Sequence, residues 1–173
     1  MKKLFIAAFA VIAFTSVNAQ DITYGLTGGL TNMNIGSGGD DESETGFHLG
    51  AFADFGISEK FHVQPELTYS NAGDVTFISL NAMAKYYVMD GLNLQAGPTL
   101  GIAGGDNVDA ADENFGDDFT KLNIGLAFGV GYDISEKFFA QARYGVQLND
   151  HVTDSDVGEL KINNFLVGVG YRF

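Results

Sequence analysis

Eight segments of this chain alternate apolar and polar residues, and one of the two resulting faces carries no charge. Counting every second residue from Ile22, Phe47, Phe61, Ile78, Leu92, Leu122, Phe138 and Phe165 gives eight walls made of aliphatic and aromatic residues, Ala, Gly and Pro. Side chains switch face at each residue of a strand, so each list is one wall of a β-strand. The opposite walls hold Gly, Thr, Asn, Gln, His, Glu, Lys and Arg. An apolar wall outside and a polar wall inside is the pattern of a transmembrane β-barrel. The predicted fold is therefore all-β: an eight-stranded antiparallel up-and-down transmembrane barrel over residues 20–173.

Residues 1–19 read as a cleaved signal peptide. Lys2 and Lys3 are followed by apolar Leu4 to Phe14, and Val17-Asn18-Ala19 offers a small residue at the cut, leaving Gln20 as the mature start. The apolar run is short of the roughly 20 residues that a spanning helix needs. With no cysteine in the chain, disulfides and thiol chemistry are excluded.

Loss of the leader leaves 22 acids against seven Lys and Arg. So acidic a surface argues against nucleic acid as a partner. The acids are not spread evenly. Asp40, Asp41, Glu42 and Glu44 form one run, and Asp74 stands alone in a second connection. Asp106, Asp109, Asp112, Glu113, Asp117 and Asp118 form the third group, and Asp150, Asp154, Asp156 and Glu159 the fourth. Together they place 15 of the 22 acids in every second connection. The intervening connections, Ser58-Glu59-Lys60, Met89-Asp90-Gly91 and Ser135-Glu136-Lys137, are tight. Long connections outside and short turns on the periplasmic side are the arrangement of an outer-membrane barrel, with both termini periplasmic.

Outward aromatics cluster by depth. Tyr24, Phe55, Phe61, Tyr86, Tyr132, Phe138 and Tyr171 lie near the short-turn end and form a predicted periplasmic girdle, while Phe47, Tyr69 and Tyr144 lie nearer the other end. Gly25, Gly29, Gly50, Gly97, Gly101, Gly125, Gly129, Gly131, Gly145, Gly168 and Gly170 fall on the inner wall. A small barrel has room inside only for side chains to fill it, so bulky residues must face small ones. Pro65 and Pro98 sit mid-strand on the outer wall, where a missing N–H predicts a local bulge.

The stretches Phe61-His62-Val63-Gln64-Pro65-Glu66-Leu67-Thr68-Tyr69-Ser70 and Leu92-Asn93-Leu94-Gln95-Ala96-Gly97-Pro98-Thr99-Leu100-Gly101 resemble signatures of the porin-family (PorT-like) outer-membrane β-barrel domain. Ala84-Lys85-Tyr86-Tyr87, Ala142-Arg143-Tyr144 and the ending Gly168-Val169-Gly170-Tyr171-Arg172-Phe173 resemble its fourth, seventh and last strands. The resemblance implies an OmpA/OmpX-like barrel in the outer membrane of a Gram-negative cell, in contact with its lipid. It also implies an assembly signal at Tyr171 and Phe173 for the barrel-assembly machinery. It implies no particular activity.

No arrangement of groups points to an enzyme or a cofactor. His48 and His62 read as polar filling of the lumen, and Asp150-His151 lacks the nucleophile or second carboxylate that would complete a catalytic site. The acidic runs lack the spacing and glycine of an EF-hand loop, although divalent cations or a surface ligand remain candidate partners there. A structural or surface-interaction barrel, with a lumen filled by residues such as Phe52, Met83, Phe139 and Leu166, is the first reading. A small-solute channel and a soluble lipocalin-like carrier are the alternatives, and the protein is expected to be a monomer.

Inside the lumen, one contact can be predicted. Identical Ile-Ser-Glu-Lys turns end at Lys60 and Lys137, and Glu66 and Arg143 each lie six residues beyond. Both face inward, on strands opposite each other in an eight-strand ring, which predicts a bidentate Glu66–Arg143 ion pair surrounded by Gln64, Gln95 and Gln141. The competing arrangement pairs each with a different neighbour, such as Lys85, Lys121 or Asp54.

Overall fold

The computed structural model describes residues 22–37, 40–106, 108, 113, 119–151 and 160–173. The expected signal peptide lies outside the described residues, as do Asp109, Asp112, Asp117, Asp118, Asp154, Asp156 and Glu159 of the acidic connections. Eight strands follow one another: β1 (Ile22–Ser37), β2 (Asp40–Gly56), β3 (Phe61–Ala72), β4 (Val75–Met89), β5 (Leu92–Gly104), β6 (Leu122–Asp133), β7 (Phe138–Gln147) and β8 (Leu160–Arg172). Each pairs antiparallel with the next, and β8 returns to β1 to close the barrel.

The alternation read from the sequence decides which side faces out. Leu26, Leu30, Leu49, Leu67, Ile78, Leu94, Phe128 and Val169 are exposed, whereas Thr27, His48, Glu66, Asn81, Gln95 and Arg143 are buried. This inversion of the usual soluble pattern satisfies the backbone within the closed sheet and leaves the apolar wall for lipid. On that wall stand Tyr24, Phe61, Tyr86, Tyr132 and Phe138, all exposed, with Phe55 and Tyr171 half-buried beside them. Phe138 and Tyr171 are register partners with ring centroids 5.0 Å apart.

The two Ile-Ser-Glu-Lys turns fold alike. Ser58 Oγ accepts from the Phe61 amide at 3.1 Å, and Ser135 Oγ accepts from the Phe138 amide at 3.1 Å. The third short turn needs Gly91, whose φ of 76° few other residues adopt.

Two expectations are corrected. Only two of the four outer connections are long. β1 and β2 stay paired to Ser37↔Asp40, so Asp40, Asp41, Glu42 and Glu44 belong to a strand. β3 and β4 are joined by Gly73 and Asp74 alone, with Gly73 at a φ of 56°. Backbone bonds of a ladder are indifferent to the charge of the side chains beside them, so acidic residues can lie within a strand. Nor do the prolines cause bulges. The β2–β3 ladder lapses between Phe52↔Glu66 and Phe55↔Val63, and the β4–β5 ladder between Asn81↔Thr99 and Ala84↔Ala96, with register unchanged on both sides. Loss of one N–H removes a bond without adding a residue, so the count across the gap is preserved. The irregularity that does occur lies between Tyr87 and Met89, next to the Asp90–Gly91 turn.

Candidate functional site

The inner wall brings charged and polar residues from seven strands into two hydrogen-bonded groups that meet through the rings of Tyr87 and Phe139. At its centre Arg143 on β7 reaches Glu66 on β3. Nη1 donates to both carboxylate oxygens, each at 3.0 Å. Nε donates to Gln95 Oε1 at 2.6 Å and Nη2 to Gln141 Oε1 at 2.9 Å. Gln64 Nε2 donates to Glu66 Oε2 at 2.9 Å. The pair is therefore shared from one nitrogen and is not the parallel fork expected from the sequence, since the two glutamines occupy the remaining faces of the guanidinium. Glu66 and Arg143 are 2% and 4% exposed, so each charge has exchanged water for these partners.

Nearer the periplasmic turns, Asp54 is held between two bases. Its Oδ1 lies 2.6 Å from His62 Nδ1, and its Oδ2 accepts from Lys85 Nζ at 2.8 Å. Lys85 also donates to Gln64 Oε1 at 3.2 Å, which joins this group to the central one. At the mouth, Asp133 accepts from Arg172 Nη2 at 2.7 Å and from the Tyr87 hydroxyl at 3.0 Å. The Phe139 ring lies between Lys85 Nζ (5.5 Å) and the Arg172 guanidinium (4.7 Å), and meets Phe52 edge-on at 5.6 Å. These rings fit because glycines face them. A Cβ on Gly170 would strike the Phe139 ring, and one on Gly25 would strike Phe52.

Charge is balanced along this polar filling, with Asp54, Glu66 and Asp133 against Lys85, Arg143 and Arg172. Below it a vestibule of about 650 Å³ opens, lined by Thr23, Asp54, His62, Tyr87, Asp133 and Arg172 among others. Above it lies a cavity of about 50 Å³ bordered by Glu66, Arg143, Thr68, Ser79, Asn81 and Asn164. The outer end is then covered by an apolar cluster of Met33, Ala72, Val75, Phe77, Ala103, Val108 and Ile162, with Phe119 packed on it.

This apolar cover is not among the contacts that the sequence predicts. Its parity on the inner wall was legible, as every member on a strand except Ala72 and Ala103 is a bulky residue at a lumen position, but parity alone does not say that they converge. The histidines separate. His48 is buried with Nδ1 3.2 Å from the Leu30 carbonyl. His151 is buried against Phe119, ring centroids 5.9 Å apart, with Nδ1 2.6 Å from the Thr120 carbonyl. Among the described residues, no three His, Cys, Asp or Glu side chains are grouped to hold a metal ion. Tyr171 and Phe173, expected as an assembly signal, lie together at the end of the chain with ring centroids 5.7 Å apart.

Over residues 5–173 the chain matches the family model described as "Outer membrane protein beta-barrel domain". No curated protein matches it. Among solved structures it is similar to Ail, the attachment invasion locus protein of Yersinia pestis, in complex with the heparin analogue sucrose octasulfate. The two are 17% identical with a TM-score of 0.55, over 88% of this chain and 99% of that one. Neisserial surface protein A is likewise 17% identical, with a TM-score of 0.57 over 88% and 99% of the two chains. At such identity these likenesses show a shared fold, which agrees with the apolar wall, the closed strand order and the family match. The chain belongs to the outer membrane protein beta-barrel domain family and is a protein of the outer membrane.

Proposed function

We propose that this protein is a non-catalytic surface barrel that presents an acidic outer end to cationic partners and does not conduct solutes through an open pore. The observation that carries the reading is the segregation of charge. Fifteen of the 22 acids fall in connections or strand ends on one side of the barrel, against Lys121 and Lys161 there. So strong a field of one sign draws cations and repels polyanions. The heparin analogue bound by Ail is therefore not the ligand class this chain favours, although the fold is shared.

The closed lumen is supported by the Glu66–Arg143–glutamine layer and by the apolar cover, both of which cross the interior. Eight strands leave an interior that side chains can fill. Its outward apolar residues contact lipid, and the last strand with Tyr171 and Phe173 serves assembly into the membrane. The leader over 1–19 is removed on export, and the barrel acts as a monomer.

The test places purified protein in planar bilayers and in nanodiscs. The reading expects no steady large conductance, together with binding of a polycation such as polylysine that weakens with salt. Sucrose octasulfate should not bind. Steady high single-channel currents would overturn the closed-lumen part, and preference for the polyanion would overturn the surface part.

A further inference from the structure

We propose that the β3–β4 hairpin is the labile unit of the barrel wall, set off by two proline-broken ladders at one level and locked from inside by ion pairs. The lapses in pairing are aligned. Pro65 faces the first gap, opposite Ala53, and is itself paired on its other side with Ala82. Ala82 in turn faces the second gap, opposite Pro98, which is paired on its far side with Leu126. One row of the sheet thus reads Ala53, Pro65, Ala82, Pro98, Leu126, and its backbone pairing fails on both flanks of the Pro65–Ala82 pair. Proline supplies no N–H to the facing strand, and in a bilayer no water replaces the missing donor.

The lumen bridges each gap with side chains. Asp54 on β2 binds Lys85 on β4 at 2.8 Å, crossing over β3 and the first gap. Arg143 binds Glu66 on β3 at 3.0 Å and Gln95 on β5 at 2.6 Å, tying the hairpin to the strand beyond the second gap. Gln64, next to Pro65, joins both groups through Lys85 and Glu66. Where the wall has lost backbone bonds, the interior holds its densest charged contacts. Local opening therefore begins at residues 61–89 and is governed by these pairs, because both interruptions fall mid-strand inside the bilayer, where no water satisfies the freed backbone groups.

Hydrogen–deuterium exchange on the full-length barrel in nanodiscs tests this. Amides of residues 61–89 should exchange several-fold faster than those of β1, whose ladders to β2 and β8 are both unbroken. Pro65→Ala should slow exchange along the β2–β3 gap, and Pro98→Ala along the β4–β5 gap. The paired variant Asp54→Asn with Lys85→Met, which leaves no lone charge, should speed exchange in residues 61–89 and leave β6 and β7 unchanged. Uniform protection across all strands in the unmodified protein would overturn the proposal, and that measurement stands even if a variant does not fold. Acceleration spread equally over all eight strands in the paired variant would also overturn it.

Discussion

Arg143 and Glu66 meet across the full width of the barrel, with Nη1 3.0 Å from each carboxylate oxygen. They are not on one row of the sheet. From Glu66 the ladder leads through Asn81, Thr99 and Gly125 to Gln147 on β7, four residues beyond Arg143. Strands in a barrel tilt, and following the ladder round climbs the wall, so equal depth corresponds to an offset along the row.

Removing either charge leaves its partner buried. Glu66→Gln and Arg143→Gln should each destabilise the barrel by about 3–5 kcal/mol, and the double variant should lose less than the sum. Unfolding from detergent, followed by heat-dependent mobility, measures all four proteins. Additive losses would show that the two groups are not coupled.

Much of this was legible because a barrel is regular. Two inward residues at the same distance from identical turns, on strands running in the same direction, have the same depth whatever the shear. That is why counting from Lys60 and Lys137 brought Glu66 and Arg143 together. The division of guanidinium donors between Glu66, Gln95 and Gln141 was not legible, because it depends on which glutamine reaches first. The bulges expected at Pro65 and Pro98 failed for a related reason. Sequence shows that an N–H is missing, but only the neighbouring strand shows whether the gap is filled by an extra residue or left open. The first acidic run has the charge of a connection, yet it is part of a strand. Beyond the membrane a strand needs no apolar outer wall, and exposed Glu44 stands in a strand opposite buried Met33.

The fit of rings against glycines makes a second prediction. Gly170→Ala places a methyl against the Phe139 ring and should cost about 1–3 kcal/mol. Phe139→Leu in the same chain should recover part of that loss, whereas Phe52→Leu, which faces Gly25, should recover less. Equal effects of the two second substitutions would mean that the pairing of ring and glycine does not limit packing here.

The lipid-facing wall makes a third. Arg placed at Ala82 or Leu126, both on the outer face in mid-strand, should cost about 2–4 kcal/mol. The same substitution at Thr31 or Ser79 on the inner wall tests packing instead, since neither position meets lipid. Measured in a bilayer of fixed thickness, a neutral result at both Ala82 and Leu126 would mean that this wall is not embedded.

The last prediction concerns the acidic outer end. Carboxylates crowded on one side of the barrel repel one another and repel anionic lipid headgroups, and divalent cations relieve both. The few bases there are already engaged, with Lys161 3.3 Å from Asp150. Calcium at low millimolar concentration should therefore raise the melting temperature and slow proteolysis of the outer connections, while sodium at equal ionic strength does neither. Asp106→Asn with Glu113→Gln, both in the β5–β6 connection, should reduce the calcium response and leave the ion pair at Glu66 untouched. A melting curve and a digestion pattern unmoved by calcium would remove cations from the list of partners and leave the charge to act only on larger cationic molecules.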